Sequence, residues 1–319
     1  KKEINSHQIL SLLSKPNHSQ NGKLLLESLI AYRMISGNSY ILSVKSSTGE
    51  VRELHCLRPD RVSILTDKKG HIAAFTYQNH GKEIQYPVDK VTGDCDILHL
   101  KNFHPLNDHF GLSPIEAAAY SIDQHNNAAK WNQSLLQNGA KPSGALVVKT
   151  QDQGGMGSLT DEQFRRIKNQ VEDQYSGQSN AGRPILLEGG LDWKEMSLSP
   201  KDMDYIEAKN NSAREIALAF GVPPQLLGIP GDNTYSNLAE ARLAFWENTV
   251  IPIADELLNS LNNWLLPKFP NARDFYLSSY TDQIPALLPR KEKLWQRLQE
   301  ADFLSDDEKR EMLGLGKKQ

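Results

Sequence analysis

The apolar residues of this chain fall first at helical spacing and then in short runs. Leu24, Leu25, Leu29, Ile30, Tyr32 and Met34 recur at helical intervals, which predicts an amphipathic helix over 24–35. Gly37 follows as its left-handed cap, a conformation that costs glycine no Cβ clash. From 39 to 101 the pattern becomes short runs, clearest at 40–44, 53–57, 62–65 and 73–77. Ser47-Thr48-Gly49, Lys68-Lys69-Gly70 and Asn79-His80-Gly81 punctuate them, so this stretch reads as mostly antiparallel β structure.

Helical spacing returns at Ser113-Pro114-Ile115-Glu116. These residues predict a capping box with proline at the first helical position, where no needed amide is lost. The helix should run to about 138 and stop at Gly139. Residues 140–198 mix strands (145–149 and 184–187) with a helix capped by Thr160-Asp161-Glu162-Gln163. A second long helix opens at Ser199-Pro200-Lys201-Asp202 and ends at Gly221-Val222-Pro223-Pro224, because paired prolines cannot extend it. After a loop at 228–236, a helix over 237–266 carries Leu238, Ala241, Phe245, Leu257, Leu261 and Trp264 on one stripe. Pro252 leaves the Asn248 carbonyl without its helical partner and should kink this helix. A strand-like segment at 275–280 precedes two short helices, the second capped by Ser305-Asp306-Asp307-Glu308. The fold class is α+β, with a small insertion at 140–198 held between two helices and no internal repeat.

Composition narrows the function. A length of 319 residues suggests about two domains. Lys and Arg number 36 against 39 Asp and Glu, a net charge of −3 with a pI near 6.3. That balance argues against holding nucleic acid by a large positive excess. Mean hydropathy is −0.53, and no apolar run approaches the ~18–20 residues that span a bilayer. Cys56 and Cys95 form no CxxC pair, which points to a reducing compartment.

Catalytic motifs are sought without success. Gly-Lys occurs at 22–23, 81–82 and 316–317, never followed by Ser or Thr, so no nucleotide-binding loop is present. Gly154-Gly155-Met156-Gly157 lacks the strand, helix and lysine of a phosphate loop and reads as a surface loop. His99, His104 and His109 with Asp108 form a candidate transition-metal set. That set carries the alternative reading, a metal-dependent nuclease or DNA-processing enzyme. Against it, a five-residue spacing suits neither a strand face nor a helix face, and Pro105 intervenes. His99 is expected in a strand and His109 in a loop. No Gly-x-Ser-x-Gly elbow occurs. The chain therefore reads as no enzyme and as having no cofactor. Phe103, Trp131, Tyr175, Trp193 and Trp246 are scattered, which suits core or subunit-contact anchors better than base stacking.

Nine short stretches, in order, resemble the portal proteins of HK97-type phages. They are Ser36-Gly37-Asn38-Ser39-Tyr40-Ile41, Leu57-Arg58-Pro59-Asp60-Arg61-Val62, Phe110-Gly111-Leu112-Ser113-Pro114 and Asn138-Gly139-Ala140-Lys141-Pro142-Ser143-Gly144. Tyr175-Ser176-Gly177, Asn180-Ala181-Gly182 and Leu186-Leu187-Glu188-Gly189-Gly190 follow. Ile216-Ala217 with Phe220-Gly221-Val222-Pro223-Pro224, and Asn233-Thr234-Tyr235-Ser236-Asn237, complete the series.

The resemblance implies a homo-oligomeric ring, usually a dodecamer, at the portal vertex of a virion or prophage particle, made in the bacterial host cytoplasm. Double-stranded DNA would pass through it without sequence readout. The terminase large subunit and then a head–tail adaptor would dock on it, with major capsid or scaffold protein around it and no membrane. By position, 1–112 looks like the N-terminal part of a wing, 113–139 and 199–227 like two stem helices, and 140–198 like a clip. Residues 228–236 look like a tunnel loop, 237–287 like the kinked long helix and return strand of the wing, and 288–319 like a truncated crown. Asp232, Asn233, Thr234 and Tyr235 would then meet DNA, although Asp232-Asn233 also suits an ordinary turn. For Phe164, Ile167 and Val171 on the clip helix, packing within the clip comes first and motor or adaptor docking second.

Overall fold

The computed structural model describes residues 4, 6–137, 144–148, 160–162, 164–166, 169, 191–195, 201–229, 235–272, 274–281 and 283–313. The chain divides into two compact units, Lys1–Ala118 with Ala217–Gln319, and Ala119–Ile216.

In the first unit, the alternating segment forms β1 (Asn38–Lys45), β2 (Val51–Leu57), β3 (Val62–Thr66), β4 (Ile72–Asn79), β5 (Lys82–Pro87) and β6 (Ile97–Lys101). They make two antiparallel three-stranded sheets, ordered β2-β1-β6 and β3-β4-β5. Gly49, Gly70 and Gly81 turn the chain with positive φ, as their punctuation predicts. Strand β1 is central and buried on both faces, so its neighbouring side chains serve different cores. Tyr40 packs with Leu57, Val62, Phe75 and Ile97. Ile41 packs with α1 (Gln8–Ser14) and α2 (Gly22–Ser36) through Ile9, Leu25 and Leu29. The period of two along a strand produces this division.

Gly37 ends α2 at φ 74°, and its N–H donates to the Arg33 carbonyl at 2.9 Å. A Cβ there would lie 2.4 Å from the Gly111 carbonyl oxygen, so this cap is also a point of backbone contact. Ser113 accepts from the Ile115 N–H at 3.0 Å and donates to the Ile35 carbonyl at 2.7 Å. The cap thus fastens the next segment to α2 rather than closing a box with Glu116. The single helix expected from Ser113 is instead a short α3 (Pro114–Ala117), a break at Ala118, and α4 (Ala119–Gln137).

The second unit includes all of α4, the antiparallel pair β7 (Gly144–Val148) and β8 (Leu191–Glu195), helical residues at 161–162 and 164–166, and most of α5 (Lys201–Ala219). The strand expected at 184–187 lies outside the described residues.

The long helix of the sequence reading is three pieces. They are α6 (Tyr235–Phe245), a π turn (Trp246–Val250) and α7 (Ile251–Trp264). The Ile251 N–H reaches back five residues to the Trp246 carbonyl, so the disturbance from Pro252 is a widened turn. Leu257, Leu261 and Leu265 then enter the first core. No strand forms at 275–280. There the Asn262 carboxamide donates to the Leu277 carbonyl at 2.9 Å and accepts from its N–H at 2.7 Å. One side chain supplies the two bonds that a neighbouring strand would have made. The chain continues through α8 (Leu288–Glu300) to α9 (Asp306–Met312), which has the complete Ser305–Glu308 capping box.

Candidate functional site

The segment singled out by sequence, 228–236, is framed by two helix ends. At the close of α5 the Val222 N–H donates to the Ala217 carbonyl at 2.8 Å, and the Gly221 N–H to the Leu218 carbonyl at 2.9 Å. Gly221 sits at φ 67°, the left-handed residue that reverses a helix end. Pro223 then starts a single 3-10 turn, Pro224–Leu227, closed by Gly228 at φ 70°, and Ile229 is buried. On the far side, Thr249 of the π turn donates its hydroxyl to the Gly221 carbonyl at 2.5 Å. Threonine inside a helix usually bonds back to its own preceding turn. Here the bond crosses to the other stem of the segment.

Asp232, Asn233 and Thr234 lie outside the described residues, and Tyr235 is the first residue of α6. Phe164 is exposed on a helical turn, while Ile167 and Val171 lie outside the described residues.

The candidate metal set is not brought together. His99 is half-buried beside the buried Asn38: its Nε2 lies 2.9 Å from Asn38 Oδ1, which also accepts the Gly111 N–H at 2.7 Å. An amide oxygen only accepts, so Nε2 carries the proton. The ring stacks on Tyr40 with centroids 4.4 Å apart, and burial pushes the imidazole down to about 3. It is a neutral structural donor. His104 accepts the Leu106 N–H, Asp108 offers its backbone carbonyl to Lys101, and the His109 N–H donates to Asn107. Among the described residues no group of three or more His, Cys, Asp or Glu could hold a metal ion.

Sequence reasoning passed over the polar knot beside them. Arg33, 9% exposed, lies 2.6 Å from Glu256 of α7 and donates to Asn102 Oδ1 at 2.7 Å. Asn102 in turn donates to the Leu112 carbonyl at 3.1 Å. The available signal was a charged residue four positions after Leu29, on the buried side of α2.

Residues 1–314 match the family of phage portal proteins. The chain belongs to this family. A protein of Rickettsia bellii is 46% identical over 314 residues, covering 98% of this chain and 79% of that one. The portal protein of Enterobacteria phage HK97 is 27% identical over 260 residues, covering 79% of this chain and 56% of its own. Among solved structures, the neck of an empty gene transfer agent particle, computed with C6 symmetry, is 44% identical at a TM-score of 0.75. It covers 98% of this chain and 83% of its own. A neck of the native particle, computed with C12 symmetry, is also 44% identical, at a TM-score of 0.72 over 98% of this chain and 85% of its own. An HK97-family portal protein of Corynebacterium diphtheriae shares the fold, at 15% identity and a TM-score of 0.51 over 77% of this chain and 73% of its own. The α+β fold is thus of the portal type. Portal proteins are structural capsid components rather than enzymes, in keeping with the missing catalytic motifs. Among the described residues no helix is long and apolar enough to cross a membrane.

Proposed function

We propose that this chain is the subunit of a ring at the portal vertex of a capsid, through which double-stranded DNA enters and leaves. One observation carries the reading: 44% identity across 98% of the chain with gene transfer agent necks computed with C6 and with C12 symmetry. In this reading the stem helices, 113–139 and 199–227, and the clip, 140–198, form an arm where terminase and later an adaptor dock. The segment 228–236 is the tunnel loop, with Asp232, Asn233, Thr234 and Tyr235 toward DNA. Twelve copies at −3 each would carry about −36, which suits a conduit that must not grip its cargo, since every phosphate-neutralising contact deepens a well. The chain is 44% identical to the gene transfer agent neck and 27% identical to the HK97 protein, which favours a particle nearer in kind to the gene transfer agent.

Negative-stain imaging of the purified full chain tests the ring: closed rings with a central hole are expected, and a persistent monomer opposes the reading. Asp232→Lys with Asn233→Lys tests the channel. Packaging or DNA retention should fall, and unchanged packaging would remove the loop from the DNA path.

A further inference from the structure

We infer that the outer face of α2, continued by the 102–113 loop at its end, is one half of the contact between adjacent copies of this chain. The inference rests on the ring reading above and adds to it the surface that builds the ring.

The observation is an apolar helix with two apolar sides. Its inner side is the core, where Leu25 and Leu29 are 3% and 2% exposed. Its outer side should be polar for a helix facing water. Instead Leu24, Leu26, Ile30 and Ile35 are 43%, 41%, 39% and 59% exposed. At 100° per residue these four, with Met34 and Ala31, cover the half-turn opposite the core. The charged residues interspersed among them are Lys23 and Glu27, one turn apart and opposite in sign.

The patch continues past the helix. Asn102 ties the next loop to the end of α2, its N–H donating to the Gly37 carbonyl at 2.9 Å. Asn107 Oδ1 accepts the N–H groups of His109 and Phe110, each at 2.9 Å, and folds the loop back. This fastened loop holds Phe103 84% and Leu106 91% exposed. A preordered apolar tip loses little further freedom when it is covered.

The chemistry of the face selects its occupant. DNA requires unbalanced cations, and the one lysine on the helix face is offset by Glu27 while the loop adds the exposed Asp108. A membrane surface selects a basic rim, which the same balance denies. An apolar face with no net positive charge fits another apolar protein face. The 44% identical chains come from necks computed with C6 and with C12 symmetry. A ring of more than two copies joins two different surfaces of each subunit, one of which the next copy must cover.

The test is Leu26→Glu with Ile30→Glu in the full chain, followed by mass photometry and negative stain across a concentration series. Both sites are exposed, so the monomer should melt at the wild-type temperature and keep its far-ultraviolet spectrum. Ring population should fall at least tenfold where the wild type is half assembled, whereas Ile30→Leu, which keeps the face apolar, should assemble like the wild type. Rings of the double variant at wild-type yield would overturn the assignment of this face while leaving the ring reading intact. A wild-type chain that never assembles would overturn the ring reading and this inference with it.

Discussion

The two units are built on different chemistry. In Lys1–Ala118 with Ala217–Gln319, a central strand feeds two apolar cores, and Leu54 and Leu265 are fully buried. In Ala119–Ile216, the described side chains of α4 and α5 bury chiefly small residues, Ala128 at 8% and Ser212 at 1% exposure. Polar bonds link those two helices: Ser121 to Glu215 at 2.5 Å, and Ser212 to Gln124 at 3.1 Å. Buried apolar area is the main source of folding stability, so the first unit carries its own, and among the described side chains the helices of the second bury little of it. In the proposed ring, neighbouring arms would supply what a single arm lacks. An unfolding experiment on single chains should therefore detect the first unit and be nearly blind to the second.

Acid gives the largest separation. His99 has an ordinary value of 6.5 and a folded value of about 3. Below pH 6.5 the unfolded chain takes up a proton that the folded chain refuses, so stability falls as pH drops and the loss is complete near pH 3. The shift corresponds to a loss on the order of 5 kcal/mol from this group. Urea titrations at pH 7 and 4 should reveal the slope, and His99→Gln should remove it. A slope unchanged in that variant would mean that the acid sensitivity originates elsewhere. Next is Leu265→Ala, which empties part of the first core and should cost about 3 kcal/mol. Gly37→Ala follows at about 2–3 kcal/mol, from the positive φ and from a Cβ set against the Gly111 carbonyl, which backbone cannot easily yield. Both should move the main melting transition. If either variant melts like the wild type, the first unit is not what that transition reports.

How much of this is legible in sequence depends on the range of the interaction. The end of α2 at Gly37 and the box at Ser305 are readable because cap and helix are neighbours in the chain. The β region is readable because alternation and turn residues are local as well. The break at Ala118 is not, because Ser113 is drawn to the Ile35 carbonyl, 78 residues earlier in the chain. Nor is the lost strand at 275–280, where Asn262 takes the place of a strand partner. The same limit governs the site. Pro252 announces a disturbed helix, but the bond from Thr249 to the Gly221 carbonyl spans 28 residues and has no sequence signature. The histidine spacing suggested a metal set, and only the partners Asn38 and Tyr40 reveal His99 as a half-buried structural residue.

The smallest expected effect makes the sharpest test of the contrast. The Ser212 hydroxyl lies 2.9 Å from the Ala208 carbonyl of its own helix and 3.1 Å from Gln124 Oε1 of α4. It has one hydrogen to share between them, so Ser212→Ala removes at most one net hydrogen bond, about 1 kcal/mol. It also leaves the Gln124 oxygen to find water, which the surrounding exposed positions of α4 allow. If the arm depends on such bonds, amide exchange over 206–216 should speed up about fivefold, while the main melting transition stays within a degree of wild type. A main transition lowered as far as by Leu265→Ala would show that the two units unfold together, and the arm would then be supported by the first unit's core rather than by its own polar contacts.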